Sequence, residues 1–301
     1  MTTGQWLAEW LPSIQGKVRD GTWANYEAVV KLHLMPTLGA IPLAQLRAAQ
    51  IETLYLQLAL RRAPKTVHNI HLVLRSALEA AVRNELIASN PAARAHRMSS
   101  SRPQMQTWDA DQLRRFLVSV SDDRLYALWR LYAMTGARRG EMLGLRWSDI
   151  DLAGAFISIQ QQLSRQGAQG VVISEPKTAR GRRRIPIDAA TVAALRAHKA
   201  NQVVVGIDGL AFTREDGSRL DPDVVTAAFR KASRAAGLSV IRLHDLRHTA
   251  ATLMLRAGTH PKVVQERLGH ASIAMTLDLY SHAVPSMAAE AADQLAALVD
   301  G

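Results

Sequence analysis

Cysteine is absent from all 301 residues, so the chain can form neither a disulfide nor a thiolate metal site, which fits a reducing compartment. No apolar run approaches the roughly 20 residues needed to cross a bilayer. The opening stretch MTTGQWLAEWLPSIQGK is broken by Trp6, Glu9 and Trp10 where a secretion signal needs an unbroken apolar core. These absences predict a cytoplasmic protein with no membrane partner. Internal repeats are also missing. Acidic side chains are scarce beside basic ones, 26 against 37, which leaves a formal charge of +11. A compact chain this basic repels itself unless a polyanion compensates it, and nucleic acid is the leading candidate. The plainer alternative is an ordinary enzyme whose arginines and alanines follow codon bias. With 48% hydrophobic residues, the chain is long enough for two compact domains with proper cores.

The first hundred or so residues read as helices: WLAEWL, TWANYEAVVKLHLM, LAQLRAAQIETLYLQLAL and APKTVHNIHLVLRSALEAAVRNELI. In the last of these Val67, Ile70, Leu74, Ala77, Leu78 and Ala81 recur at helical spacing, while Lys65, His68, His71, Arg75 and Arg83 are read as lying off that stripe. The basic face is either a solvated exterior or a surface facing phosphates. Pro91, a serine triplet, Pro103 and several cations then interrupt the pattern, as in an exposed linker. Beyond it, DADQLRRFLVSV opens a helix on acidic residues and RLYALWRLYAMTG is a second, closed by Gly136. AFISIQQQL, GVVISEP and RRRIPI are β-branched runs that predict a small three-stranded antiparallel sheet, and the remainder returns to helix.

Four local clusters carry possible chemistry. TGARRGEMLGLRW sets Arg138 and Glu141 three apart at the start of a helix, which alone reads as a surface ion pair. EPKTARGRRRIPI places Lys177 in the turn between the second and third strands, followed by Arg180, Arg182, Arg183 and Arg184. Such a tip suits phosphates or is simply a disordered basic hairpin. RLHDLRHTAATLML resembles the zinc motif H-E-x-x-H through His244 and His248, or else pairs His244 with Arg247 as donors for an anionic oxygen. The second reading is preferred, because Arg247 beside both histidines would set a fixed positive charge against a dication. ERLGHASIAMTLDLYSHA puts Gly269 at a helix C-cap, so that His270 is held at a turn, with Tyr280 on the next helix beside Leu277 and Leu279. Taken singly, Tyr280 reads as a surface aromatic and His270 as a turn residue.

In chain order, Arg138, Lys177, His244, Arg247, His270 and Tyr280, within the strings TGxRxGE, HxLRHT and LGH followed by Y, strongly resemble the tyrosine recombinase (phage integrase) family. The resemblance spans roughly residues 105 to 290 and extends more weakly over the helical N-terminal part. It implies a mainly α fold with a small antiparallel β-sheet. A helical, SAM-like core-type DNA-binding domain would occupy residues 1–95, a basic linker 96–106, and a catalytic domain of the DNA breaking-rejoining fold, with a C-terminal helix, 107–301. It also implies a site-specific recombinase that cuts and rejoins double-stranded DNA through a 3′-phosphotyrosine link, as a homotetramer on two duplexes gripped by a C-shaped clamp.

By that resemblance Tyr280 is the nucleophile, His244 its base, Lys177 the general acid, and Arg138, Arg247 and His270 the ligands of the phosphate, with Glu141 orienting them. No metal and no cofactor is called for. Lys65, His68, Arg75, Arg180, Arg182 and Arg183 are expected to touch the DNA backbone. The core-binding helices start almost at Met1, which predicts an integrase without an arm-binding domain, acting on core-type attachment sites in a bacterial host, with a directionality factor as a possible partner. Within the family the alternatives are a chromosome- or plasmid-dimer resolvase and a transposon recombinase. Outside it stand a catalytically idle DNA-binding relative and a metalloprotease, the latter distinguished by sensitivity to chelators.

Overall fold

The computed structural model describes residues 1–96, 106–166, 170–175, 181–206, 208–270, 272–273, 276–277 and 296. Lys177, Arg180, Tyr280, linker residues 97–105 and all but one residue of the terminal segment expected to be helical lie outside them. The chain divides into two compact units with the break at residues 103 and 104.

The first unit packs helices α1 (Thr3–Ser13), α2 (Asp20–Val29), α3 (Met35–Leu38), α4 (Ala48–Ala59) and α5 (Pro64–Arg83), with a π turn over Val30–Leu34 between α2 and α3. The apolar stripe of α5 is the centre of its core: Val67, Ile70, Leu74, Ala77, Leu78 and Ala81 are all buried. Each of the Val, Ile and Leu side chains among them contributes about 1.5–3 kcal/mol over its exposed state. The Trp6 indole donates to the Ala77 carbonyl at 2.9 Å and fastens α1 to that face.

Three local expectations need correction here. His71 lies on the stripe, four residues after Val67 and three before Leu74; it is buried, with Nδ1 2.9 Å from the Tyr55 hydroxyl. The segment from Leu43 does not form one helix. A 3-10 turn over Leu43–Gln45 precedes an extended Arg47, whose N–H donates to Gln50 Oε1 at 2.9 Å, and this break lets both Leu43 and Leu46 reach the core. Finally, α5 stops at Arg83 because Glu85 takes a left-handed backbone, φ 58°.

The second unit is built on α6 (Ala110–Ser119), α7 (Tyr126–Thr135), α8 (Arg139–Leu143), strands β1 (Ile150–Asp151), β2 (Phe156–Ile159), β3 (Gln162–Gln166), β4 (Gly170–Ser174) and β5 (Arg183–Pro186), then α9 (Ala189–Asn201), α10 (Pro222–Ala235), α11 (Asp245–Arg256) and α12 (Pro261–Leu268). Buried almost on all sides, α7 contributes Leu128, Trp129 and Leu131, and Trp129 joins Trp108, Phe116 and Phe229 in an aromatic cluster with centroids 5.1–6.1 Å apart.

The sheet differs from the three runs expected. Its order is β1-β2-β5, antiparallel, with Ile157 opposite Ile185 and Ile159 opposite Arg183, while β3 and β4 form a separate two-stranded ladder. AFISIQQQL therefore divides at Gln160 and Gln161, where Gln161 Nε2 donates to the Gly144 carbonyl at 2.9 Å. Glycine explains the close pass. A Cβ on Gly140 would stand 2.5 Å from the Leu163 carbonyl oxygen and one on Gly144 2.9 Å from the Gln162 Cα, so the second ladder crosses α8 only over bare backbone.

Candidate active site

The site starts from two glycine turns. Gly136 ends α7 in the left-handed conformation, φ 62°, where a Cβ would meet Leu268 Cδ2 at 2.6 Å. The chain then reverses directly into α8, with Arg138 as its N-cap. The carbonyl of the same Gly136 accepts from Arg247 Nη1 on α11 at 2.8 Å. Gly269, φ 67°, ends α12, and its carbonyl accepts from Arg138 Nη2 at 2.9 Å. Each glycine thus fixes a helix end and also aims a guanidinium by its carbonyl oxygen. Arg139, the other guanidinium of this turn, points away to α10, donating to the Pro222 carbonyl at 2.9 Å and the Thr226 hydroxyl at 2.6 Å.

Arg247 is 4% exposed and, among the described residues, pairs with no carboxylate. Burial, then the positive charges of Arg138 and Arg183, disfavour its charged form, and Glu141 offsets this in part. A guanidinium keeps its proton in such a place. The folded protein therefore carries an electrostatic cost here that a bound anion would relieve.

Glu141 is the counter-charge of the cluster. Its carboxylate is buried and accepts from Arg138 N at 2.9 Å, Arg138 Nη1 at 2.8 Å, Arg183 Nη2 at 2.8 Å and Arg183 Nη1 at 3.2 Å. Burial alone would raise its pKa, but the bonds from Arg183 and Arg138 outweigh that and hold it below the usual carboxylate range. The pair expected on a helix surface is thus part of a triad whose carboxylate is buried.

That arrangement corrects the expectation for Arg183. Its side chain is 8% exposed and is spent on Glu141 and, through Nε, on the Arg267 carbonyl at 2.8 Å, so it does not stand with the outward cations. The signal was in the sequence: strand alternation from buried Ile185 puts Arg183 inward and Arg182 and Arg184 outward. Arg182 pairs loosely with exposed Glu175 at 3.0 Å, and the Arg184 guanidinium lies 3.5 Å over the Phe156 ring.

The histidines are held neutral. His270 is buried beneath the Gly269 turn, its N–H donating to the Gln265 carbonyl at 3.1 Å and its Nδ1 2.9 Å from the Thr276 hydroxyl. Burial first, and then Arg247, Arg138, His248 and Arg183, lower its pKa to about 3. Thr276, fully buried, carries no motif that marks it in the sequence, although it lies between His270 and Tyr280. His244 is the N-cap of α11 and stays exposed; the desolvation of its inner side and the charges of His248 and Arg247 lower its pKa to about 4. The rings of His244 and His248 meet edge to face at 5.1 Å. Asp245, gripped by Arg242 at 2.7 Å, acts on both histidines through its charge and raises their pKa, against the lowering by burial. Leu277, expected to help bury Tyr280, is 44% exposed.

The structure therefore gathers the charged Arg138, Glu141, Arg183 and Arg247 and the neutral His270 into one electrostatically coupled cluster, with His244 and His248 linked to it. In the first unit Lys65 and Arg75 are exposed on α5, and His68, half-buried, stacks at 6.3 Å on His71. Chemically, a dry Arg247, a half-exposed Arg138 and a neutral donor histidine suit a tetrahedral anion whose charge grows during reaction.

The family model described as "Phage integrase family" matches residues 106–287, and "Phage integrase, N-terminal SAM-like domain" matches residues 2–59. The chain belongs to the phage integrase family. It is a tyrosine-type site-specific recombinase, with the SAM-like domain preceding the catalytic one. A "Tyrosine recombinase XerC-like" protein of Caldanaerobacter subterraneus is 26% identical over 98% of this chain and 83% of its own length. The ICEBs1 integrase of Bacillus subtilis is 30% identical over 77% of this chain and 65% of its own. The Tn1549 transposon integrase, solved in complex with transposon right end DNA, superposes with a TM-score of 0.84 at 25% identity, covering 98% of this chain and 100% of that one. Among the described residues no helix is long and apolar enough to cross a membrane.

Proposed function

We propose that this recombinase integrates and excises mobile-element DNA by transferring a DNA 3′-phosphate to Tyr280 and back. The observation that carries the reading is Arg247, buried beside Arg138 with a carbonyl rather than a carboxylate as its partner. Such a guanidinium is preorganised for charge that arrives with the substrate. His270 supplies a further hydrogen bond to the same phosphate.

A phenol with an ordinary pKa near ~10 needs a base. His244, neutral at pH 7, takes the proton as the Tyr280 oxygen attacks phosphorus. The bond from phosphorus to the 5′-oxygen breaks, and Lys177 gives that oxygen its proton. A 5′-hydroxyl of the partner duplex then attacks the phosphotyrosine, the phenol leaves, and the protons return. One phosphodiester is exchanged for another, so no ATP is consumed. Two duplexes cut in both strands present four phosphates, and one nucleophile per chain makes the working unit a tetramer. Exposed Lys65, Arg75 and Arg182, together with His68 and Arg180, hold the backbone of double-stranded DNA.

The test is a nicked duplex spanning the junction of the element that carries the gene, run on a denaturing gel. The wild-type chain gives a protein-DNA adduct that survives excess chelator; Tyr280→Phe binds but gives none. Lys177→Ala cuts normal DNA very slowly yet recovers on a substrate with sulfur at the 5′-bridging position, because a thiolate of pKa near ~8.5 leaves unprotonated. An undiminished adduct from Tyr280→Phe, or zinc-dependent cleavage, overturns the mechanism.

A further inference from the structure

We propose that Arg183 is a positioning residue of the cleavage reaction, which divides the charge of Glu141 so that Arg138 keeps positive charge free for the scissile phosphate. This rests on the reading of Arg138 as a phosphate ligand, set out above, and goes beyond it.

Two guanidiniums share one carboxylate. The Arg138 guanidinium takes one oxygen, Oε1, at 2.8 Å, beside the Arg138 backbone N–H on Oε2 at 2.9 Å, while the Arg183 guanidinium forks across both, at 2.8 Å to Oε2 and 3.2 Å to Oε1. The side chains are 38% exposed for Arg138, 8% for Arg183 and 1% for Glu141, so only Arg138 opens to a ligand. The cluster of three carries a net charge of +1, and that surplus sits behind the one member that can meet DNA. Without Arg183, the whole carboxylate charge would fall on Arg138 and the pair would be neutral. Bidentate geometry suits the dividing role, because a fork holds both oxygens and leaves the Arg138 guanidinium a single one.

The same guanidinium also reaches a third element. Arg183 Nε donates to the Arg267 carbonyl in the last turn of α12, two residues before Gly269, whose own carbonyl takes Arg138 Nη2. One side chain on β5 therefore ties α8 to the helix end that carries His270. Its burial removes the alternative of direct DNA contact.

The test compares cleavage of a nicked duplex that the wild-type chain cuts, with the scissile phosphate either normal or replaced by a neutral methylphosphonate. The readout is the ratio of the two rates, methylphosphonate over phosphate. Loss of folded protein multiplies both rates alike and cancels. Because Arg183→Gln leaves Arg138 over-neutralised, it should raise the ratio by about tenfold. The double variant Arg183→Gln with Glu141→Gln should bring it back to within about threefold of wild type, since the surplus counter-charge is gone. Arg183→Lys, which keeps charge but loses the fork, should raise it less than Arg183→Gln. If Arg183→Gln does not fold, Glu141→Gln alone decides: it should lower the ratio below wild type. A ratio unmoved by Arg183→Gln, however slow the variant, overturns the proposal, as does a double variant no closer to wild type than the single. Arg138→Ala separates the two failures. If it raises the ratio and Arg183→Gln does not, Arg138 is a phosphate ligand and Arg183 merely structural. If it leaves the ratio unchanged, the reading of Arg138 falls.

Discussion

The two units bury polar groups to different ends. In the first, the buried polar side chains Thr3, His71 and Asn90 all meet nearby partners: Ile41 O, the Tyr55 hydroxyl, and the Arg75 carbonyl with Glu79. They close gaps between helices. In the second unit, Glu141, Arg247, Asp245 and His270 are buried together with Arg183, and positive charge exceeds negative around Arg247. A fold seeking only stability would replace such a cluster by apolar packing at little or no loss. On the proposed reading, this is where stability is given up for binding an anion.

The largest effect that could break this contrast is at Arg247. Arg247→Met should slow adduct formation by about 10²–10³-fold or more. Thermal unfolding of the same variant should occur at the wild-type temperature or above it, because a charge disfavoured by burial and by Arg138 and Arg183 is removed. Activity and stability then move apart. A variant that loses both in parallel would make Arg247 a structural residue and erase the distinction between the units.

Acidity sharpens the contrast next. His270 and His244 have pKa values lowered from 6.5 to about 3 and about 4, the first cause in both being burial. Below pH 6.5 the unfolded chain binds protons that these folded histidines refuse. Stability of the second unit should therefore fall as pH drops from 6.5 toward about 3, and is fully present above 6.5. Over the same range the neutral base persists in the free protein, so the second-order rate of cleavage should show no acid limb near 6.5. A limb at 6.5 in a series of stopped reactions would remove His244, as placed here, from the role of base.

Much of both units was legible in the sequence because their signals are local. The stripe of α5 and the caps at Gly136 and Gly269 depend on spacing within a few residues, whereas Arg138, His244, Arg247 and His270 stand out only through the resemblance of their motifs and chain order to the family. Residue type misleads at positions whose partners lie far off in sequence. His71 was grouped with the basic face by its residue type, although its spacing places it on the stripe, where Tyr55 can meet it. Arg183 was grouped with the hairpin cations by composition, whereas strand alternation and the carboxylate of Glu141, 42 residues earlier, draw it inward. The division of AFISIQQQL follows from Gly140 and Gly144, whose bare backbones admit a crossing strand. Periodicity should have outweighed residue type in the first two cases; the third needed the tertiary fold.

A smaller effect belongs to the first unit. Tyr55→Phe leaves buried His71 without its hydroxyl partner and should cost about 1–3 kcal/mol in denaturant unfolding, with adduct yield per folded molecule unchanged. Here stability moves and chemistry does not, the reverse of Arg247→Met. A loss of cleavage beyond the loss of folded protein would mean that the first unit enters the reaction itself.

The smallest effect separates the cations proposed to touch DNA from the one proposed only to support them. Lys65, Arg75 and Arg182 are exposed, so each phosphate contact removed by Lys65→Ala, Arg75→Ala or Arg182→Ala should reduce the slope of log affinity against log salt by about 0.9. These losses should be alike on any duplex sequence, since a phosphate contact carries no base information. Arg183→Gln removes the same formal charge one residue from Arg182, yet its buried side chain releases no counterion from DNA. Its salt slope should equal that of the wild-type chain. Measured over salt from 50 to 200 mM, an equal drop for Arg182→Ala and Arg183→Gln would put Arg183 back among the phosphate contacts, and the exposure of each arginine would no longer decide its role.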